Sequence, residues 1–299
     1  MNKEGRQIVS LQGQQLINLL IFMVFGKVFL HLAVPWAMIA LAVVTAVVAE
    51  HVLLFLQRGH IPYIVISSIL TGLGVAFMVQ SSQWWVYGVV IVAAFIIKYA
   101  VRYNQQHIFN PSNSAVVLAL VVFPQYTAVV VGQWGASWVI LTLLFLLGSF
   151  IVYRARRWIV PAVFVPLYLG LSYAVTADIR MSLSEYVSMT VVGAFLLYAF
   201  FMLTDPRTTP SQWIGQVMFA ILVAVCAVTL DSVYVPRPAH LFLSLAIVSL
   251  CVPFLRYITR ETNHMPSWIT TASLVIVGVG IFLSATRLPA VHFVMPGIH

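Results

Sequence analysis

The chain has 299 residues, of which 62% are hydrophobic and 7% are charged, with a formal net charge of +8. Soluble domains carry about 25% charged residues, so a soluble fold could not cover its surface with so few. The composition therefore excludes a soluble enzyme and predicts an all-α polytopic membrane protein, a bundle of ten to eleven helices in a single transmembrane domain over residues 1–299.

Apolar stretches of about 20 residues are long enough to cross a bilayer, and they predict eleven transmembrane helices in this chain. We expect the first helix to remain as an anchor, because the polar segment before it does not resemble a cleaved signal peptide. Pro124 and Gln125 interrupt the fifth. In chain order, the predicted spans are 14–33, 35–57, 61–79, 84–102, 109–130, 136–153, 158–176, 185–204, 212–230, 239–255 and 267–286.

Lys and Arg are distributed unevenly between the two sides of these spans. With a cytoplasmic N-terminus, eleven of them fall on the inner side and three on the outer side, as the positive-inside rule requires. The asymmetry predicts a cytoplasmic N-terminus and an external C-terminus. It also explains the positive charge by the lipid bilayer, with no nucleic acid as a partner. The inner set is Lys3, Arg6, Arg58, Lys98, Arg102, Arg154, Arg156, Arg157, Arg207, Arg256 and Arg260, and the outer set is Arg180, Arg237 and Arg287.

A polar string at 105–114 precedes most of the fifth predicted span. Asn110 stands before Pro111, which biases its backbone to an extended conformation and predicts a helix that begins at Pro111. The free amide groups of that helix start, together with His107, Asn110 and Asn113, could hold an uncharged polar ring or an anion. The same side chains could equally cap the helix and join neighbouring spans. The sequence leaves both interpretations open.

A second polar string closes the eighth predicted span, where Thr204, Asp205 and Pro206 are followed by Arg207. A proline beside an apolar run frees backbone groups that must find partners. Asp205 could cap the next turn, pair with Arg207, or carry protons or a cation.

Two further charges lie inside predicted spans. An intramembrane carboxylate is a functional hypothesis by default, but Glu50 lies close to the inner end of its span. We therefore expect Glu50 to pair with Arg58 or to reach the interface. Lys27 lies deeper and needs a partner carboxylate or a polar cavity.

Small residues mark the third predicted span, where Thr71, Gly72 and Gly74 follow one another closely. Glycines at such positions allow a neighbouring backbone or a flat ligand to approach the helix. Close helix packing alone would also explain them.

Motifs of soluble enzyme chemistry are missing from the sequence. It has no Walker loop, GxSxG elbow, HExxH or GxGxxG pattern. Cys226 and Cys251 are too few for an iron–sulfur cluster, which needs about four thiolates. We therefore assign no catalytic residue and no metal ligand.

Residues 112–120, near the start of the fifth predicted span, are weakly similar in sequence to residues 240–248, at the start of the tenth. The first segment enters from the inner side and the second from the outer side. This pattern indicates two inverted five-helix repeats, an arrangement that places a site near the midplane. The repeats would cover 14–130 and 136–258, with an extra C-terminal helix at 267–286.

Several of these segments follow the order found in one protein family. Residues 67–77 are similar to its Ser…Thr-Gly-Leu segment, 109–111 to its Asn-Pro helix start, and 201–206 to its Phe-Met-x-Thr-Asp-Pro string. The chain resembles the D subunit of the Rnf complex and the B subunit of the sodium-pumping NADH:quinone reductase, including short stand-alone members found beside enediyne genes. The resemblance implies two inverted five-helix repeats, in outline like urea and ammonium channels.

The resemblance also implies a flavin, either riboflavin or FMN, that is bound without a covalent link. The ring edge would be bound by His107, Asn110 and Asn113, and the ring face would pack against Thr71 and Gly72. A pseudo-symmetric inner-side site would consist of Thr204 and Asp205.

A second, covalent FMN is linked in this family to the Thr of a Ser-Gly-Ala-Thr motif. This chain lacks the motif, and only Gly135-Ala136-Ser137 comes near to it. We therefore expect no covalent FMN.

The implied function is a flavin-binding electron-transfer subunit in the bacterial inner membrane, which relays electrons across or within the bilayer as part of a redox complex. Its partners would be other membrane or peripheral redox subunits that supply and accept the electrons. The alternative is a transporter or channel on the same fold without a redox cofactor. The sequence does not decide whether the chain has a catalytic step of its own.

The charge asymmetry gives a direct test of the topology. We expect a reporter fused after His299 to be active only when it is a reporter that works outside the cytoplasm. Activity of a cytoplasmic reporter at the same position would contradict the count of eleven spans, and the fifth or eleventh span would then be the misassigned one.

Overall fold

The computed structural model describes residues 3–29, 32, 34–59, 66–129, 138–176, 181–233 and 238–262. This part of the chain forms twelve α-helices and one π-helical turn, Tyr198–Met202. The helices are α1 (Lys3–Phe29), α2 (Trp36–Arg58), α3 (Ile66–Met78), α4 (Trp84–Ala100), α5 (Pro111–Val122), α6 (Trp138–Arg154), α7 (Ile159–Thr176), α8 (Leu183–Thr190), α9 (Gly193–Leu197), α10 (Trp213–Ser232), α11 (Ala239–Ser249) and α12 (Val252–Ile258).

Each of the first ten predicted spans overlaps a helix or a bent pair of helices, and the eleventh lies outside the described residues. The fifth span is shorter than predicted, because α5 ends at Val122 and 127–129 form a strand. Within the described part, α2 and α10 are each long and apolar enough to cross a membrane alone. Two bent pairs pass the same test as pairs, α8 with the α9–π segment at 71° and α11 with α12 at 49°. The architecture is that of an all-α membrane protein. The count of eleven spans and the inverted repeat stay predictions.

The eighth predicted span is broken rather than straight. Val191 and Val192 leave helical geometry between α8 and α9, immediately before Gly193. The chain then widens into the π-helical turn, where the Leu203 amide donates to the Tyr198 carbonyl at 3.0 Å. Such π-helical turns often occur at functional sites, and this one brings the second polar string into the bundle.

Two short antiparallel ribbons, which the sequence analysis does not predict, join the helices. Strand β1 (Val79–Ser81) pairs with β4 (Thr127–Val129), and β2 (Arg102–Tyr103) pairs with β3 (Gln106–His107). Asn104 and Gln105 turn the second ribbon with positive φ angles of 46° and 63°, as tight two-residue hairpin turns require. This hairpin ends at His107 and so positions the entry to α5.

Four helices of the first half, α1, α2, α4 and α5, pack against α3. On the α2 side, a Cβ added to Gly72 would lie 2.6 Å from Val43 Cα and 2.8 Å from the Ala42 carbonyl oxygen. On the α5 side, a Cβ at Gly74 would lie 2.9 Å from Ser112 Oγ. Small residues let helices in lipid approach closely. The two glycines of α3 therefore allow α2 and α5 to pack directly against it.

Among the described residues, Lys27 bonds to backbone carbonyls rather than to a carboxylate, which is one of the two environments that the sequence analysis allows. Its ammonium donates to the carbonyl oxygens of Leu32 at 2.9 Å and Val34 at 2.6 Å. These carbonyls lie just beyond the end of α1, where a cation compensates the free acceptors of a helix terminus.

The contact between α2 and α3 predicts a large effect of a single methyl group. Gly72→Ala should destabilise the fold by about 1–3 kcal/mol, because the new Cβ overlaps the α2 backbone and the helices must separate. Gly88→Ala is the matched control, since a Cβ there meets nothing within 4 Å. Thermal unfolding in detergent should show a lower midpoint for Gly72→Ala only. Equal midpoints for both variants would contradict the described packing.

Candidate functional site

The two polar strings meet at one cavity. It contains about 1060 Å³ of space not filled by protein atoms, counted together with its open mouth. Its walls come from α1, α3, the end of α4, the start of α5, the end of α6, the π-helical turn and the loop after it. The lining residues used below are Ser67, Leu70, Thr71, Phe77, Lys98, His107, Asn110, Phe200, Phe201, Thr204, Asp205 and Arg207.

The first string forms the N-terminus of α5. The helix begins at Pro111, as predicted, and Asn110 is its N-cap. The Asn110 side-chain oxygen accepts from the Asn113 amide at 3.2 Å, and the Asn110 carbonyl accepts from the Ser114 amide at 2.9 Å. The capping interpretation is therefore confirmed for the side-chain oxygen. The side-chain nitrogen of Asn110 is left for other partners.

The second string folds into a turn around the Asp205 carboxylate. Its Oδ1 accepts from the Arg207 amide at 3.1 Å, and its Oδ2 accepts from the Thr208 hydroxyl at 3.4 Å. Asp205 thus caps its own turn, as one of the sequence alternatives states, and the Arg207 contact runs through the backbone.

One hydrogen bond joins the two strings. Asn110 Nδ2 donates to Asp205 Oδ2 at 3.3 Å across 95 residues of sequence. His107 Nε2 lies 3.9 Å from the same Asp205 oxygen. The residues that the sequence analysis places in two separate strings therefore form one polar edge of the cavity: His107, Asn110 and Asp205.

Burial and neighbouring groups determine the protonation states of His107 and Asp205. Burial lowers the pKa of His107 below its usual value of 6.5, against the opposing effect of the Asp205 carboxylate. The ring is therefore neutral at pH 7. Burial alone would raise the pKa of Asp205, but the nearby His107 ring and the Arg207 amide outweigh it and hold that pKa below its usual value of 3.8. Asp205 is ionised at pH 7.

The rest of the lining mixes apolar residues with further polar ones, among them Ser67, Lys98, Arg207 and two threonines. Thr71 donates its hydroxyl to the Ser67 carbonyl at 2.9 Å, and Thr204 donates to the Phe200 carbonyl at 2.6 Å. Both hydroxyls keep acceptor capacity toward the cavity. Five of the seven predicted site residues line the cavity, namely Thr71, His107, Asn110, Thr204 and Asp205.

The other two predicted residues, Gly72 and Asn113, lie elsewhere. Gly72 packs against the α2 backbone, so it serves the helix contact rather than the cavity wall. Asn113 is buried and donates its side-chain amide to the Phe242 carbonyl in α11 at 3.0 Å. Asn113 therefore joins α5 to α11.

A buried ion pair beside the cavity was missed by the sequence analysis. Glu50 does not pair with Arg58, as expected from their positions near one helix end, but with Lys98 of α4. Ser67 donates to both Glu50 oxygens at 3.1 and 3.0 Å, and the Tyr99 hydroxyl donates at 2.9 Å. The only signal in the sequence is that Lys98 interrupts an apolar run one turn before the end of its helix.

Comparisons with known proteins match part of the chain. Residues 125–265 match the sequence model of the NQR2, RnfD, RnfE family. A stretch of 146 residues, 47% of the chain, is 30% identical to the D subunit of the ion-translocating oxidoreductase complex of Erwinia tasmaniensis and covers 39% of that protein. Another of 136 residues, 44% of the chain, is 24% identical to the protein of the same name in Shewanella loihica and covers 38% of it.

The chain thus spans about two fifths of the length of the curated relatives it matches. The predicted resemblance to the Rnf and NADH:quinone reductase subunits is confirmed. The match to the family includes Thr204 and Asp205, whereas His107 and Asn110 precede it. The first polar string is tied to the matched region by the structure, through the Asn110–Asp205 hydrogen bond.

The lowered pKa of Asp205 gives a pH-dependent prediction. A carboxylate whose folded pKa is depressed stabilises the fold above its unfolded pKa, and this stabilisation is lost as the pH falls through the folded value. Asp205→Asn should therefore lower the free energy of unfolding by about 1–3 kcal/mol at pH 7. The difference from wild type should shrink below about pH 4. The difference is measured from the thermal midpoints of both proteins between pH 7 and pH 3. A difference that stays constant over that range would contradict the assignment of Asp205 as an ionised carboxylate with a lowered pKa.

Proposed function

Starting from the family match over residues 125–265, we propose that this chain is a membrane subunit of a bacterial inner-membrane oxidoreductase complex. In this proposal it relays electrons through a flavin, riboflavin or FMN, bound non-covalently in the cavity. Its partners are redox subunits that supply and accept the electrons. The relatives named as the D subunit of an ion-translocating oxidoreductase complex support the complex, and the cavity supports the flavin.

The observation that carries the proposal is the distribution of polar and apolar groups around the cavity. His107, Asn110 and Asp205 form one polar edge, while Phe77 and Phe201 belong to the apolar walls. The isoalloxazine ring is flat, with an apolar benzenoid end and a polar pyrimidine end. A pocket that combines apolar walls with directed polar groups is the type that binds such cofactors.

The donors of the polar edge suit a ring with several acceptors. An asparagine amide carries two N–H donors, and Asn110 uses one of them on Asp205. The second N–H is available to a ring oxygen or nitrogen. The neutral His107 ring offers one donor and one acceptor nitrogen, and Asp205 accepts from a ring N–H.

A bound flavin would accept electrons from one partner subunit and pass them to another. The residues of this chain bind and orient it. Asp205 fixes the Asn110 amide, and α5 in turn fixes Asn110 through its first turn. Phe200 and Phe201 limit the access of water to the ring face. His107, neutral at pH 7 because burial lowers its pKa, can hold a proton at one ring nitrogen and accept one at the other.

The experiment that tests the proposal compares flavin content with fold stability. If Asn110 binds flavin, Asn110→Ala removes hydrogen bonds in a water-poor site and weakens affinity by about 1–3 kcal/mol, or about tenfold to hundredfold. If Asn110 only caps α5, the change lowers stability by about 1 kcal/mol and leaves flavin in place. Absorbance of the purified protein in the flavin region and its thermal midpoint separate the two results.

Asn18→Ala is the matched control for that experiment. Asn18 is as deeply buried as Asn110, donates to the Leu147 carbonyl at 3.4 Å, and is absent from the cavity lining. It should lower stability and leave the flavin content unchanged. We expect denaturation of wild type to release all flavin, since the covalent motif is missing. Wild-type protein that binds no riboflavin would contradict the proposal and favour the transporter or channel alternative.

A further inference from the structure

A group of four buried side chains borders the cavity on its α4 side. It consists of Glu50 from α2, Ser67 from α3, and Lys98 and Tyr99 from α4, and we refer to it as the Glu50 group. Glu50 is 1% exposed and Lys98 is 3% exposed. Charged side chains are rarely buried in a membrane bundle without a functional reason. The function proposed above assigns no role to this buried pair of charges.

The hydrogen bonds within the Glu50 group indicate the charges of Glu50 and Lys98. Lys98, Ser67 and Tyr99 all donate to the Glu50 carboxylate. Three donors around one carboxylate favour its ionised form, and the Lys98–Glu50 contact is an ion pair. Lys98 is therefore a charged ammonium held by its counter-ion.

The Lys98 ammonium has two hydrogen-bond acceptors for three hydrogens, and its Nζ also lies 5.0 Å from the Phe95 ring centroid and 5.5 Å from that of Tyr99. Two of its three hydrogens point to Glu50 and to Ser67 Oγ, the latter at 3.2 Å. Among the described residues, no third acceptor bonds to Lys98. Lys98 and Ser67 line the cavity, and Glu50 does not. The pair thus presents its positive end to the cavity and keeps its negative end behind it.

The other charged side chains of the lining are Asp205 and Arg207, which have opposite signs. The Asp205 carboxylate already accepts from the Asn110 side chain, the Arg207 amide and the Thr208 hydroxyl. The Arg207 side chain adds a second positive group to the lining. An ion pair kept only for stability could be replaced by apolar residues at little cost, and its orientation toward the cavity would have no purpose.

We propose that Lys98 stabilises the reduced, negatively charged state of a flavin in this cavity, with Glu50 as the positioning residue that keeps the ammonium in place. This inference rests on the function proposed above. Two electrons and one proton convert the neutral oxidised ring into the reduced anion. Positive charge close to the ring binds that anion more tightly than the neutral ring, and the cavity therefore prefers the reduced form.

The test measures riboflavin binding in both redox states with the full chain in detergent, using dithionite as the source of electrons. Wild type should bind reduced riboflavin more tightly than oxidised riboflavin. Lys98→Met should lose this preference by a factor on the order of ten, which for a two-electron couple lowers the midpoint potential of the bound flavin by about 30 mV. Lys98→Arg keeps the charge and should restore the potential.

Two further variants keep the result interpretable. Lys98→Met alone leaves Glu50 without its cation, so Glu50→Gln combined with Lys98→Met removes both charges and preserves folding. The pair of changes should lower the potential as Lys98→Met does. Lys27→Met is the matched control, because this lysine bonds to the Leu32 and Val34 carbonyls and is absent from the cavity lining. Its potential should equal that of wild type.

The outcomes separate this inference from the proposed function. Wild type that binds no riboflavin in either state overturns both. Wild type that binds riboflavin with equal affinity in both states overturns the inference and leaves the proposed function standing. The same holds if Lys98→Met and the double variant keep the wild-type potential, since the ion pair would then be structural.

Discussion

The hydrogen bond from Asn110 Nδ2 to the Asp205 carboxylate joins the two places where polar sequence interrupts the apolar helices. Each place alone is a local cap: Asn110 begins α5, and Asp205 holds the turn after the π-helical segment. Their contact closes one edge of the cavity. In a bilayer, backbone groups freed at a helix break must be satisfied within the protein, so the two caps are required before any ligand is considered.

The same constraint accounts for the other buried polar contacts. Asn113 donates to the Phe242 carbonyl and joins α5 to α11. The Glu50 group ties α2, α3 and α4 together on the other side of α3. Because the helices have little hydrophobic reason to associate in lipid, small residues and polar contacts supply the specificity of packing. The cavity lies between these two sets of contacts, and both its polar edge and its charged wall follow from them.

Much of this arrangement could be predicted from local sequence. Asn-Pro predicts the start of α5 at Pro111, as observed, and the turn that Asp205 caps is one of the alternatives that the sequence leaves open. Long-range partners could not be predicted. Lys98 is 48 residues from Glu50, and Asn110 is 95 residues from Asp205, so neither pairing has a local signal. The break at Val191 and Val192 was also missed, since an apolar run of sufficient length reads as one straight span.

The function depends on whether a flat ring occupies the space between the Asn110–Asp205 edge and the aromatic wall. The most direct measurement is a cryo-EM map of the full chain, prepared with riboflavin. We predict planar density in the cavity, with its polar end within hydrogen-bonding distance of Asn110 and its face against Phe201. A cavity filled by a lipid tail or by solvent, with the ring bound elsewhere or nowhere, would contradict the account.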